Sequence, residues 1–275
     1  MAPGSPTLPR ELEREIFELC ALSRREFIPK LMLVAQRVKE WVEPLRYRTI
    51  ILGGPTTITQ IIGLPLFNDD IIISLRRPPT FFHTAVRYLV LFASSDMKAM
   101  LALCTKVEDL WIYDLEAALI PLIGALPLKR LSVNAARTPL PPGRMFSHLT
   151  HLNLRGIYKD AEICAFIAAL PKLTHLSVSS DASILVSHNI LDSSPSMCVI
   201  VVFERYGRNW SVDKAAVGEL PQDVRFVVMR SRDELGDWYA GIQRGTDYWS
   251  DAETFVEKRR RGELDSRNYF WEPAT

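Results

Sequence analysis

The stretch LKRLSVNAARTPLPPGRMFSHLTHLNLRGIYKDAEICAFIAALPKLTHLSV, residues 128–178, carries one pattern three times. It opens on LKRLSV, repeats as LTHLNL at 149–154, and closes on LTHLSV at 173–178. Each copy reads apolar-x-x-apolar-x-apolar. The same hexad stands upstream as VRYLVL at 86–91 and VEDLWI at 107–112. The fourth positions are residues 89, 110, 131, 152 and 176, at spacings of 21, 21, 21 and 24. A near-constant period in the twenties marks a stacked repeat, each unit giving one short strand and a return segment.

Several returns have helical spacing. Leu115, Leu119, Leu122, Ile123 and Leu126 share one face, as do Ile163, Phe166, Ile167 and Leu170. Asp114 and Asp160 stand where N-caps are expected, and Pro127 and Pro171 mark the stops before the next strand. Ile50-Ile51-Leu52 reads as an earlier strand, with residues 53–85 as an extended first repeat. Val199 to Phe203 and Val224 to Met229 read as two further strands of the same sheet. These features resemble leucine-rich repeats. The asparagine usual after the hexad is missing, and Gly156 or Ser180 stands in that neighbourhood, so the repeats are irregular.

Residues 8–50 follow another rule. Pro9 suits a first helical turn, and Leu8, Leu12, Ile16 and Leu19 recur on one face. Pro29 starts a second short helix carrying Leu31, Leu33 and Val34. Val34, Val38, Trp41, Val42 and Leu45 form a third apolar face, closed by Pro44. A helical segment this short needs a partner to bury its apolar residues. Spacing alone leaves open whether that partner is the rest of the chain or another protein.

The order of parts, Leu8-Pro9 with a short amphipathic helix, then two more apolar segments ending at Trp41, resembles the F-box. That module docks on the Skp-type adaptor of cullin-RING ubiquitin ligases. The resemblance implies adaptor contacts at Leu8, Pro9, Leu12, Ile16, Leu33 and Val34. The run Gln36 to Glu40 departs from the usual small and basic-aromatic residues before the tryptophan, and the linker Ala21 to Ile28 is longer and more charged. The implied function is a non-catalytic ligase receptor, with adaptor and cullin ligase on one side and an unnamed target protein on the other. The alternative is a repeat scaffold whose N-terminal helices cap the solenoid.

The expected architecture is therefore α/β: a helical module over residues 1–45, an irregular solenoid with a mainly parallel sheet and outer helices over 46–203, and a strand-and-helix cap over 204–275 at the far end. Hexad positions three and five point away from the core. They place Tyr88 and Val90, Asp109 and Trp111, Arg130 and Ser132, His151 and Asn153, and His175 and Ser177 on one surface, strands being ~4.8 Å apart. Tyr88, Asp109, Trp111, Arg130, His151, Asn153 and His175 are the candidate target-binding residues of that concave face. His151 and His175 occupy the same position in consecutive repeats and should stand side by side. Two imidazoles fall short of a zinc site, so no metal is expected. The segment from Asp237 to Trp249 packs four aromatics and two acids, and reads as a hydrophobic plug with Asp247 or Ser250 as a cap. Lys258 to Arg261 suits a helix C-terminus.

Charge is balanced, 33 basic against 32 acidic residues, giving no global field for nucleic acid or anionic membranes. The four cysteines form no CxxC and read as free thiols of a reducing compartment. MAPGSPTLPREL lacks the apolar run of a secretory leader. No apolar segment is long enough to cross a bilayer. Cytoplasm or nucleus is the expected location. No phosphate-binding loop, GxSxG or HExxH is present, so neither catalysis nor a cofactor is expected.

Overall fold

The computed structural model describes residues 8–53, 66–67, 77–92, 97–134, 138, 142–156, 160–179, 183–204, 220–230 and 233–272. The hexads become strands β3 (Tyr88–Leu91), β4 (Asp109–Ile112), β5 (Arg130–Asn134), β6 (His151–Arg155) and β7 (His175–Ser179). Position four of each pairs with position four of the next, Leu89 with Leu110, Leu110 with Leu131, Leu131 with Leu152, and Leu152 with Leu176.

The register runs beyond the five hexads. β1 (Thr49–Leu52) sets Ile50 beside Leu89, and Tyr47, Ile50 and Leu52 enter the same core. They are positions one, four and six of a sixth copy, disguised by a tyrosine. β8 (Val199–Glu204) sets Ile200 beside Leu176, and Met197, Ile200 and Val202 make a seventh. β9 (Phe226–Arg230) follows, with Phe226 beside Ile200. β2 (Leu66–Phe67) and β10 (Phe270–Trp271) are the edges. The sheet order is β10-β9-β8-β7-β6-β5-β4-β3-β1-β2, with every pairing parallel.

Return segments cover the inner face. They include α4 (Pro79–Ala85), α5 (Met97–Leu103), α6 (Ile120–Gly124), α7 (Asp160–Ala168) and α8 (Ser183–Ser193). The helix expected after Asp114 is shorter than its apolar spacing suggests. A 3-10 turn over Ala117–Leu119 leads into α6, and Glu116 rather than Asp114 precedes it. Leu115, Leu119, Ile123 and Leu126 are nevertheless all buried. Asp160 is the first residue of α7 itself. Its side chain, Ser180 and most of the extended first repeat lie outside the described residues.

The N-terminal helices are α1 (Arg10–Ser23), α2 (Ile28–Leu31) and α3 (Gln36–Arg46). Pro44 lies inside the last turn of α3, which runs on to Arg46. Ala21, Ile28, Val38, Trp41 and Val42 form a small core of their own. The join to the solenoid is immediate, because Tyr47 already belongs to the main core.

The C-terminal segment does more than close the far end, where β9 and β10 complete the sheet. α9 (Glu234–Arg244) and α10 (Tyr248–Arg260) turn back over the outer face of the sheet. α9 lays Leu235, Trp238 and Tyr239 on Ile51, Val90 and Trp111. α10 lays Tyr248, Trp249, Ala252, Phe255 and Val256 on Val199, Val201, Phe203, Val227 and Met229. The reason is hydrophobic: the outer positions of the terminal strands are apolar and exclude water only if something covers them. The concave face expected to be open is therefore closed.

The 0% exposed Leu152 sits mid-sheet at position four. Leu152→Ala should cost about 2–5 kcal/mol in urea unfolding. A loss below about 1 kcal/mol would show that this position is not a core knob.

Candidate functional site

Two places concentrate functional side chains. The first is the N-terminal module. Its own core draws on Phe17 and Ala21 of α1, while Leu12, Ile16 and Leu19 lie on another face. Arg37 Nη2 and Glu13 Oε1 close at 2.6 Å and fasten α3 to α1. That hydrogen bond lowers the Glu13 carboxyl and raises the Arg37 guanidinium. The Arg10 guanidinium lies 5.8 Å from the Trp41 ring centroid. What is left outside is apolar. Leu8, Leu12, Ile16, Leu19, Leu22, Leu33 and Val34 are seven of the eight exposed large hydrophobic residues among those described, Tyr113 being the eighth. Leu33 is 85% exposed, and Pro9 is exposed beside Leu8. The six expected adaptor-contact residues are thus all at the surface, and none packs on the repeats.

The second place is the seam between the outer sheet face and the C-terminal helices. Seven residues were expected to form an open concave surface, and the sheet does place them on one face. Tyr88 packs against the α9 cluster. Trp111 is buried, edge-on to Trp238 with centroids 6.4 Å apart, and the Arg155 guanidinium stands 4.3 Å from its ring centroid. Asp109 is buried and accepts from Trp238 Nε1 at 2.9 Å. Arg130 Nε lies 3.6 Å from Asp109 Oδ2, and Arg130 Nη2 donates to Asp247. His151 and His175 stack, centroids 4.1 Å apart and planes 5° from parallel, with Trp249 edge-on to both. His175 Nε2 meets Glu253 Oε1 at 2.9 Å. Asn153 is buried. α9 and α10 cover this face, so Asp109, Trp111, Asn153 and His175 are buried while Tyr88, Arg130 and His151 stay part-exposed.

The α9–α10 junction positions this cover. Gly245 ends α9 at φ 72°, a left-handed conformation that suits glycine. Asp247 then caps α10, accepting from the N–H groups of Trp249 and Ser250 while the Ser250 hydroxyl receives the Asp247 N–H. One carboxylate therefore both caps a helix and pairs with Arg130. Arg259, expected only to complement the helix end, is buried instead. It donates to the carbonyls of Phe226 at 2.6 Å, of Asn268 at 3.1 Å and of Val224.

The electrostatics favour neutral forms. Burial pushes Asp109 up to about 6, against the pull of Arg130 and Trp238. Burial, helped by His175 and Arg130, pulls His151 down to about 2. Burial also lowers His175, opposed by Glu253. The Tyr248 hydroxyl is held protonated by burial, and meets Ser177 Oγ at 3.0 Å. Ser177, on the same strand as His175, is thus fully buried and engaged, which is an arrangement for packing rather than for nucleophilic attack.

Neither known protein families, curated proteins nor solved structures contain a match to this chain. Among the described residues no group of three or more His, Cys, Asp or Glu could hold a metal ion, and no helix is long and apolar enough to cross a membrane.

Two outcomes are expected of the seam. His151 is neutral when folded, so its stabilisation is complete above the unfolded value near pH 6.5 and is lost as pH falls towards about 2, and the lowered His175 acts in the same direction. Asp109 acts oppositely: its cost above about pH 6 disappears as pH falls towards its ordinary 3.8. The His151 shift is larger than the Asp109 one, so stability should fall on the acid side. His151→Asn should reduce that slope between pH 6 and 4 by up to about 1.4 kcal/mol per pH unit, read by urea unfolding at each pH. Trp238→Phe, which leaves Asp109 without its indole donor, should cost about 1–3 kcal/mol in the same assay at pH 7.

Proposed function

We propose that this chain is the substrate-receptor subunit of a Skp-cullin-F-box type ubiquitin ligase. In this reading α1 to α3 dock on a Skp-type adaptor and the solenoid presents a target protein. The chain itself does no covalent chemistry, and its partners transfer ubiquitin. The observation that carries the reading is the concentration of exposed apolar side chains at residues 8–34. A folded chain keeps water off such a cluster when it can, and a contiguous stripe left outside marks an interaction surface. The same stripe argues against a cap, because a cap would turn Leu8, Leu12 and Ile16 onto the repeats. The sequence order that resembles the F-box falls on these residues. The small core of Ala21, Ile28, Val38, Trp41 and Val42 helps so short a module hold its shape while giving its leucines away.

Burial of each of Leu12 and Ile16 in an interface is worth roughly 1.5–3 kcal/mol. Leu12→Asp with Ile16→Asp should therefore weaken adaptor binding roughly a hundred-fold or more, measured by calorimetry or by co-purification of the co-expressed pair. Both side chains are about half exposed in the free chain (48% and 54%), so its own stability should stay within about 0.5 kcal/mol. A wild-type chain that is folded and binds no adaptor, or a double variant that binds undiminished, would remove the ligase role and leave a repeat-type scaffold.

A further inference from the structure

The seam under the C-terminal helices contains polar atoms that the protein does not satisfy. Asp109 Oδ2, Ser132 Oγ and both amide atoms of Asn153 are buried without a hydrogen-bond partner. The nearest charge to Asp109 Oδ2 is Arg130 Nε at 3.6 Å, beyond hydrogen-bonding reach. Asp109, Ser132 and Asn153 are 3%, 6% and 4% exposed. All three line one narrow cleft, walled by Trp238, Tyr248 and Trp249 of the cover. It holds about 300 Å³ of non-atom space, its mouth included, and inside there is room for a water-sized group. Strand register explains the convergence. Ser132 and Asn153 are direct neighbours across β5 and β6, and Asp109 neighbours Arg130 one pleat away.

We propose that this cleft is a specific internal hydration site, with water bound to Asp109, Ser132 and Asn153 beneath α9 and α10. The donor inventory selects the ligand. Asp109 Oδ2 and Asn153 Oδ1 accept, Asn153 Nδ2 donates, and the Ser132 hydroxyl does either. An anion would face the Asp109 carboxylate. A cation would find the Asn153 amide donor and the Arg130 guanidinium among its neighbours. A small neutral group that both donates and accepts matches all four atoms, and buried waters of this kind commonly bond about three polar partners. The water would join β4, β5 and β6 where apolar contact is absent. The cover is then held by apolar contacts at its two ends and, at its centre, by water beside the direct contacts of Trp238 with Asp109 and of Asp247 with Arg130.

The test is a high-resolution crystal structure of the full chain, with oxygen-17 relaxation dispersion in solution to count long-lived internal waters. Expected is density about 2.7–3.2 Å from the Asn153 amide and from Ser132 Oγ. Asn153→Leu should remove at least one long-lived water and lower Tm by about 2 °C or more, because Asp109 and Ser132 lose their bridge. A dry cleft in the wild-type crystal overturns the proposal. So does an Asn153→Leu chain with an unchanged water count and a raised Tm, which is how an unsolvated, unsatisfied asparagine would respond. Should Asn153→Leu not fold, Ser132→Ala with the wild-type density decides between the same two results.

Discussion

Everything in this fold depends on a strand-to-strand constraint. Parallel neighbours lie ~4.8 Å apart and match residue for residue, so whatever stands at one hexad position meets its equivalent in the next repeat. At positions four and six this builds rows of leucine, isoleucine and valine from β3 to β7 that are at most 5% exposed. At positions three and five it builds rows that need not be apolar, and the two faces then have different fates. The inner face is apolar from β1 to β9. The outer face is apolar at both ends and polar in the middle, and that gradient decides where the C-terminal helices land. Their aromatic residues settle on Ile51, Val90 and Trp111 at one end and on the valines of β8 and β9 at the other. The polar middle meets the cover through its own contacts, Asp109 with Trp238, Arg130 with Asp247, His175 with Glu253 and Ser177 with Tyr248.

The enclosed middle is consistent with its chemistry. A lone charge in such a place would be costly, so Arg130 stands between two carboxylates and Asp109 drifts towards its neutral form. Burial biases the histidine pair towards its uncharged form, and the rings stack with one carboxylate, Glu253, at their edge. The N-terminal module shows the opposite allocation. Its core is minimal, and an ion pair does part of the holding, so that most of its leucines remain at the surface.

The sheet was legible because a 21-residue period survives single-residue noise. Tyr47 and Met197 hid two further copies only because neither is an aliphatic residue of the expected kind, yet each fills position one. The side-by-side histidines followed directly from the hexad arithmetic. The closure of the outer face did not. The local signal was present in VIVVF and FVVM, whose unbroken apolar runs belong to strands buried on both sides. What the sequence does not encode locally is which segment provides the second cover, since Trp238 and Asp109 are 129 residues apart. The Arg130–Asp247 pair was equally invisible, two charges among many until the fold brought them together.

Because α9 and α10 bridge the sheet from β1 to β9, this solenoid is not a string of neighbours that each consult only the next. Linear repeat arrays nucleate anywhere and can unravel from an end. Here the first strand and the last helices share a cluster, so the ends are coupled through the cover and the chain should melt as one cooperative body. Such long-range closure also comes late, after its loop entropy has been met. During synthesis the repeats leave the ribosome before their cover exists. For that interval Val90, Trp111 and Val201 are open to water, and the nascent protein presents a sticky face that the mature one has sealed.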